Sequence, residues 1–344
     1  MTNLFKLNLQ LFALNNGVNA TVASGSMGAG PVNADLSVEM KTFYDMTLID
    51  EAQAQLVHEQ FGVKKDIPNG GGKTIEFRRY AALDKATTPL QEGVTPPGKA
   101  LKASAITATV EQYGDFIPLT DVLDLVAIDD NIVEATKQCG RQAGLTMDTV
   151  VRDILHTGTN VSYCPKIAAD GTETEVESMS ALDNTCQLTV DMVMRTVAKL
   201  RAQNAPTING KYVAIIHPYV AYDLMRDPEW IDSHKYTNST NLYEGEIGEI
   251  AGVRFVQTTE AKIYENGVFG SLFLAEGAYG VTEITGGGLK TIVKQLGSAG
   301  SADPLDQRST VGWKGMKTAK ILIPNYLVCV YSKSKRFSAT AAAN

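Results

Sequence analysis

The sequence predicts an α+β chain, and three observations carry that prediction. Thr74–Tyr80 and Ala105–Tyr113 alternate apolar and polar residues with period two. A run from Asp129 to Leu155 repeats apolar residues at helical spacing, with Gly158 as its stop. Beyond it, helical and strand patterns interleave in one further block.

Residues Asn15 to Asp35 are mostly Gly, Ala, Asn, Ser and Val, the composition of a flexible arm or linker. From Ser37 to Phe61, Phe43, Met46, Leu48, Ile49 and Leu56 mark a helical pattern. Pro68-Asn-Gly-Gly-Gly72 breaks it and starts the first period-2 segment. There Ile75 and Phe77 point one way and Thr74, Glu76 and Arg78 the other. The second segment sets Ile106, Ala108 and Val110 against Thr107, Thr109 and Glu111, so the two read as a half-buried ribbon. Its connection, Ala81 to Lys102, far exceeds the usual hairpin loop of about two to five residues. A two-stranded ribbon is marginal alone in water. No cover from its own chain is evident, so a neighbouring subunit is expected to supply it.

After Pro118-Leu-Thr-Asp121 comes the long helix, with Asp129 or Asp130 as N-cap. Gly140 and Gly144 lower its helix propensity but permit close approach of another element. Asp170 to Asn184 reads as a polar surface excursion. Val190–Gln203 is helical, Tyr212–Ile216 a buried strand, and Pro218–Arg226 a short helix with proline near its start. Further strands are expected at Gly252–Thr258, Ser271–Ala275, Tyr279–Thr285, Ala319–Ile323 and Tyr326–Tyr331. Ser338–Asn344 reads as a frayed end.

Composition bounds the function. The chain has 344 residues and 44% apolar content, enough for a real core. Its formal charge of −7 and lack of a long basic run give no case for direct recognition of DNA or RNA. Cys139, Cys164, Cys186 and Cys329 form no CxxC pair and read as small buried residues of a reducing site of synthesis. No apolar run approaches the roughly 20 residues of a membrane span. Lys6, Asn8 and Gln10 interrupt the apolar start where a secretory signal would be continuous.

Catalytic patterns fail on inspection. Ile67-Pro-Asn-Gly-Gly-Gly-Lys-Thr74 departs from the phosphate-loop pattern at Ile67, and a strand follows where a helix is needed. Gly70, Gly71 and Gly72 read instead as a hinge. His58, His156, His217 and His234 show no metal spacing, and Asp129-Asp130 suits a helix start unaided. His217-Pro218 lies at a strand-to-helix passage, where active-site residues can sit, but has no partner residue. No catalytic residue, cofactor or metal ligand is assigned.

The order of elements and several long segments resemble the major capsid protein of tailed bacteriophages, the Hong Kong 97 fold, in its N4-type branch. The matching segments are Leu36–Tyr44, Gly72–Phe77, Ala86–Gly93, Ile106–Asp115, Gly140–Thr146, His217-Pro-Tyr and Gly245–Phe255. Leu7–Ala13 is similar to the start of many phage structural proteins. The likeness spans roughly 36–335.

The resemblance implies an arm and helix over 1–62 and an extended E-loop over 63–118. It implies a peripheral domain with a spine helix over 119–185, an axial domain over 186–286, and returning strands over 287–344. It further implies a shell-forming virion protein, not an enzyme, assembled in the host cytoplasm as pentamers and hexamers of itself. Portal, scaffold or decoration proteins and DNA packaged without specific recognition are the other implied partners; no membrane is. Lys73, Arg78, Arg79, Lys85, Lys99 and Lys102 on the ribbon would meet Glu244, Glu246 and Glu249 of the next subunit, by sign of charge. A solvated mixed-charge face is the alternative. For the whole chain the alternatives are a tail or decoration protein, or an α/β enzyme with a site near His217.

Overall fold

The computed structural model describes residues 46–344 except 50, 53–55, 69, 81–82, 84, 91, 94, 96–97, 127–130, 169, 235–247, 285–286 and 299–302. The N-terminal linker, the helical pattern before Met46, Asp129, Asp130, Glu244 and Glu246 lie outside the described residues.

In chain order come β1 (Val63–Lys64), β2 (Thr74–Tyr80), β3 (Ala103–Thr109), β4 (Glu111–Thr120), α1 (Asp121–Val126) and α2 (Asn131–Leu155). There follow β5 (Val161–Tyr163), β6 (Lys166–Ile167), β7 (Glu173–Thr174), α3 (Val190–Ala202), β8 (Tyr212–Ile216), α4 (Pro218–Met225) and α5 (Pro228–His234). The chain continues through β9 (Glu249–Ile250), β10 (Val253–Gln257), β11 (Ile263–Tyr264), β12 (Val268–Leu274) and β13 (Tyr279–Thr282). It closes with β14 (Lys290–Lys294), β15 (Arg308–Ile321) and β16 (Leu327–Lys333). The chain is thus a mixture of helix and sheet.

It divides into two compact units. One contains the described residues up to Leu56, Gln112–Met147 and Gly287–Met316; the other contains Val57–Glu111, Asp148–Gly286 and Lys317–Asn344. Each has its own apolar core.

In the first unit, α2 buries Ala135, Cys139, Ala143 and Met147, one residue every four, so a single stripe faces the core. Leu48, Leu119, Val311 and Trp313 complete that core. A Cβ on Gly140 would lie 2.8 Å from the Leu48 carbonyl oxygen, so glycine lets this backbone approach. Trp313 Nε1 donates to Gln142 Oε1 at 3.1 Å, and Gln142 Nε2 donates to Asp115 Oδ2 at 2.6 Å. Residues of β15, β14 and β4 form the sheet of this unit.

The second unit is built on a seven-stranded sheet of order β5-β16-β12-β8-β10-β9, with β11 beside β12. All of β8 is buried. Thr189 caps α3, its side chain accepting from the Met192 amide at 3.4 Å. His217 caps α4: Nδ1 accepts from the Tyr219 amide at 3.1 Å, and Pro218 follows at the first turn. Burial holds His217 neutral, with its pKa lowered to about 4. The four cysteines are buried and free.

Helical structure covers 46–49 and 51–52, and from His58 the chain turns, short of the expected helix end at Phe61. The reason is Asp148. Its Oδ1 accepts from the Val57 and His58 amides at 2.9 and 2.7 Å, and its Oδ2 meets His58 Nδ1 at 2.6 Å. Those amides are therefore unavailable to a helix ladder. The Tyr279 hydroxyl donates to the His58 carbonyl, and Lys317 pairs with Glu59 in the same buried neighbourhood.

Three further expectations need correction. The strand expected over Ala105–Tyr113 stops at Thr109, and β4 starts anew at Glu111 to pair with β15 instead. The strand expected at Ala319–Ile323 is the end of a 14-residue strand, β15. Its apolar positions are diluted by Gly, Thr and Lys, which hid the rest. Ser338–Asn344 is not frayed. Ser338 is buried, and the Asn344 side chain accepts from the Ile263 amide at 2.9 Å and donates to the Ala261 carbonyl at 3.3 Å.

His156 gives the second unit a pH signature. Burial lowers its pKa to about 3, and the charges of His58, Arg152 and Lys262 act in the same direction. The unfolded imidazole titrates near pH 6.5. Its contribution is therefore complete above about pH 6.5 and is lost as pH falls toward 3, at up to about 1.4 kcal/mol per pH unit. Between pH 7 and pH 4, urea unfolding should show wild type losing more stability than His156→Gln. A gap that stays constant with pH would contradict this.

Candidate functional site

The ribbon belongs to the second unit. Gly70 and Gly72 have φ of 84° and 86°, a left-handed backbone that glycine adopts without strain. From there β2 pairs antiparallel with β3, Thr74 opposite Thr109 and Tyr80 opposite Ala103. Ile75, Phe77, Ala108 and Val110 are buried. The expectation that the ribbon lacks cover from its own chain therefore fails at its base. Phe77 lies on β13, where a Cβ on Gly280 would come within 2.7 Å of its ring. The Lys65 ammonium sits 5.7 Å from the Phe77 ring centroid and also donates to the Glu76 carbonyl at 3.2 Å.

Beyond the base the apolar residues face solvent. Tyr80 and Leu83 are each 59% exposed, Leu101 65% and Leu90 78%. These four residues leave apolar surface open to solvent along β2 and its connection to β3. Lys73, Arg78, Arg79, Lys85, Lys99 and Lys102 are all exposed on the same ribbon. Arg78 Nε lies 3.9 Å from Glu76 Oε1, an exposed pair of little stabilising weight. Glu249 is already engaged by Lys211 of its own chain.

A second surface, missed in the sequence, belongs to the first unit. Phe116 on β4 and Val122, Leu123 and Val126 on α1 are exposed. The run Val122-Leu-Asp-Leu-Val126 was its only sequence signal, and apolar runs of that length ordinarily mark core.

Among the described residues no group of three or more His, Cys, Asp and Glu side chains is arranged to hold a metal, and no helix is long and apolar enough to cross a membrane. Arg152, the largest buried cation of the second unit, donates to the Glu260 carbonyl at 2.9 Å and to Asp153 Oδ1 at 3.1 Å, a structural role.

The fold of the chain is similar to that of solved phage capsid proteins. The chain superposes on the capsid protein of cyanophage P-SCSP1u with a TM-score of 0.63 at 15% identity, covering 97% of this chain and 100% of that one. The capsid of Ralstonia phage GP4 gives 0.63 at 15% identity, covering 91% and 99%. The capsid of cyanophage Pam1 gives 0.62 at 11% identity, covering 94% and 100%. No curated protein sequence matches the chain significantly. The family model described as phage capsid protein matches residues 102–331, well over half of the chain, and the chain belongs to this family. It is a structural protein of the phage head shell, not an enzyme.

Proposed function

We propose that this chain is the major capsid protein of a tailed phage with the Hong Kong 97 fold, of the N4-type branch. Copies of it assemble as pentamers and hexamers into the icosahedral shell that encloses double-stranded DNA. The observation that carries this reading is the ribbon: buried in its own chain at the base, apolar and exposed at the tip. Read this way, the ribbon is the E-loop and α2 the spine helix. Gly70, Gly71 and Gly72 let the loop adjust its angle to pentamer or hexamer surroundings. The exposed side chains of Phe116, Val122, Leu123 and Val126 supply apolar surface for a neighbouring copy. The ribbon cations meet acidic surface of the next subunit, Glu244 and Glu246 included. Assembly takes place in the host cytoplasm with a portal and, where needed, scaffold or decoration proteins.

Negative-stain microscopy of the purified full-length chain tests the reading. Closed shells, capsomers or tubes are expected. A small monodisperse species at all concentrations would reject it.

A further inference from the structure

Two arginines far apart in sequence converge on one tyrosine of the second unit. Arg226, at the C-cap of α4, has its guanidinium carbon 5.8 Å from the Tyr222 ring centroid, and its Nη1 donates to the Tyr222 hydroxyl at 3.3 Å. Arg336, just after β16, lies 5.9 Å from the same centroid. The tyrosine is itself held. Phe337 meets it edge-on at 5.6 Å and stacks on Tyr219 at 4.3 Å. Arg226, Lys335 and Arg336 are exposed, and Tyr222 is half-buried.

Neither guanidinium has a carboxylate within 4.0 Å among the described residues, whereas Arg141 and Arg195 each meet one. Asp227 accepts from the Val190 and Glu229 amides at 2.9 and 3.1 Å, a capping role. Asp223 is partly buried, and that burial pushes its pKa up against hydrogen bonds from Ser334 and the Lys335 amide and the charges of Arg336 and Lys335. In a chain with 38 acidic and 31 basic residues, Arg226, Lys335 and Arg336 leave three basic side chains exposed here.

We infer that Tyr222, Arg226, Lys335 and Arg336 form a contact for the phosphate backbone of double-stranded DNA. The inference rests on the capsid reading, which puts a continuous polyanion inside the shell. Guanidinium forks match phosphate oxygens two at a time, and a ring beneath each fork limits the freedom lost on binding. Such contacts neutralise charge without reading bases, as suits a wall that must accept any sequence. On a chain of net negative charge they also confine adhesion to a few points per subunit.

The test is fluorescence anisotropy of a labelled 30-base-pair duplex with the full-length chain, titrated against salt. Wild type should bind, and each phosphate contact should contribute about −0.9 to the slope of log K against log salt. Arg226→Gln with Arg336→Gln should weaken binding at least about tenfold at low salt and flatten the slope by roughly 2. Arg226→Lys with Arg336→Lys should preserve most of that slope. Circular dichroism melting checks that the variants fold; both arginines are exposed, so an unchanged midpoint is expected. No binding by wild type, or wild-type binding by the glutamine variant, overturns the inference. So does a glutamine variant that keeps DNA binding but loses assembly, since the patch would then serve a neighbouring copy. Microscopy scores assembly separately, so missing wild-type shells would count against the capsid reading, not against the DNA result.

Discussion

Deleting residues 86–99 is expected to leave a folded, soluble subunit that no longer closes shells. The deletion removes the exposed Leu90 and Lys99 and spares β2 and β3. The apolar face of the ribbon, Ile75, Phe77, Ala108 and Val110, keeps its cover from its own chain. Subunit stability should therefore change little, since exposed positions away from a core usually shift it by no more than about 0.5 kcal/mol. Assembly should fail because the deletion removes exposed surface, Leu90 included, that the proposed shell contact uses, and shell contacts multiply over many copies. Size-exclusion chromatography and negative-stain microscopy read the two outcomes separately. Charge reversal by Arg78→Glu and Arg79→Glu is the companion measurement and should impair assembly while leaving the melting midpoint unchanged. Normal particles from the deletion would remove the ribbon from the shell interface.

Asp148→Ala should be the most damaging single change to the second unit. Both Asp148 and His58 side chains have no exposed surface, and Asp148 satisfies two backbone amides as well as the imidazole. Removing one member of a buried pair costs about 3–5 kcal/mol, because the partner groups are left without hydrogen bonds. Against a typical total of about 5–15 kcal/mol, that is a large share. Urea unfolding measures it directly. Asp148→Asn should lose less, since its amide oxygen can still accept from the Val57 and His58 amides. A loss below about 1 kcal/mol in the alanine variant would mean that this contact does not anchor the segment leading to the ribbon.

Much of the fold can be read from periodicity. Tyr212–Ile216 was expected as a buried strand and is one, since five consecutive apolar residues after a turn admit few other arrangements. The long helix was legible because its buried residues recur every fourth position. The corner at Val110 was not. Residues 105–113 keep their alternation across it, and only the partners of the two strands, β2 for one and β15 for the other, divide them. The candidate contact surface divides in the same way. Its cations and glycines are visible as residue types, but Glu249 as the partner of Lys211 is not.

By itself the sequence determined the long helix, the buried strand at Tyr212–Ile216 and the two period-2 segments at the ribbon, and that the chain has a real core. Each of these follows from local spacing and composition, which neighbouring residues carry among themselves. Tertiary structure alone decided that Gly280 makes room for Phe77, that Asp148 takes up the Val57 and His58 amides, and that Arg226 and Arg336 share Tyr222. Those facts depend on distances between residues remote in the chain. Such distances are set by how sheets pair and cores pack, and no local pattern encodes them.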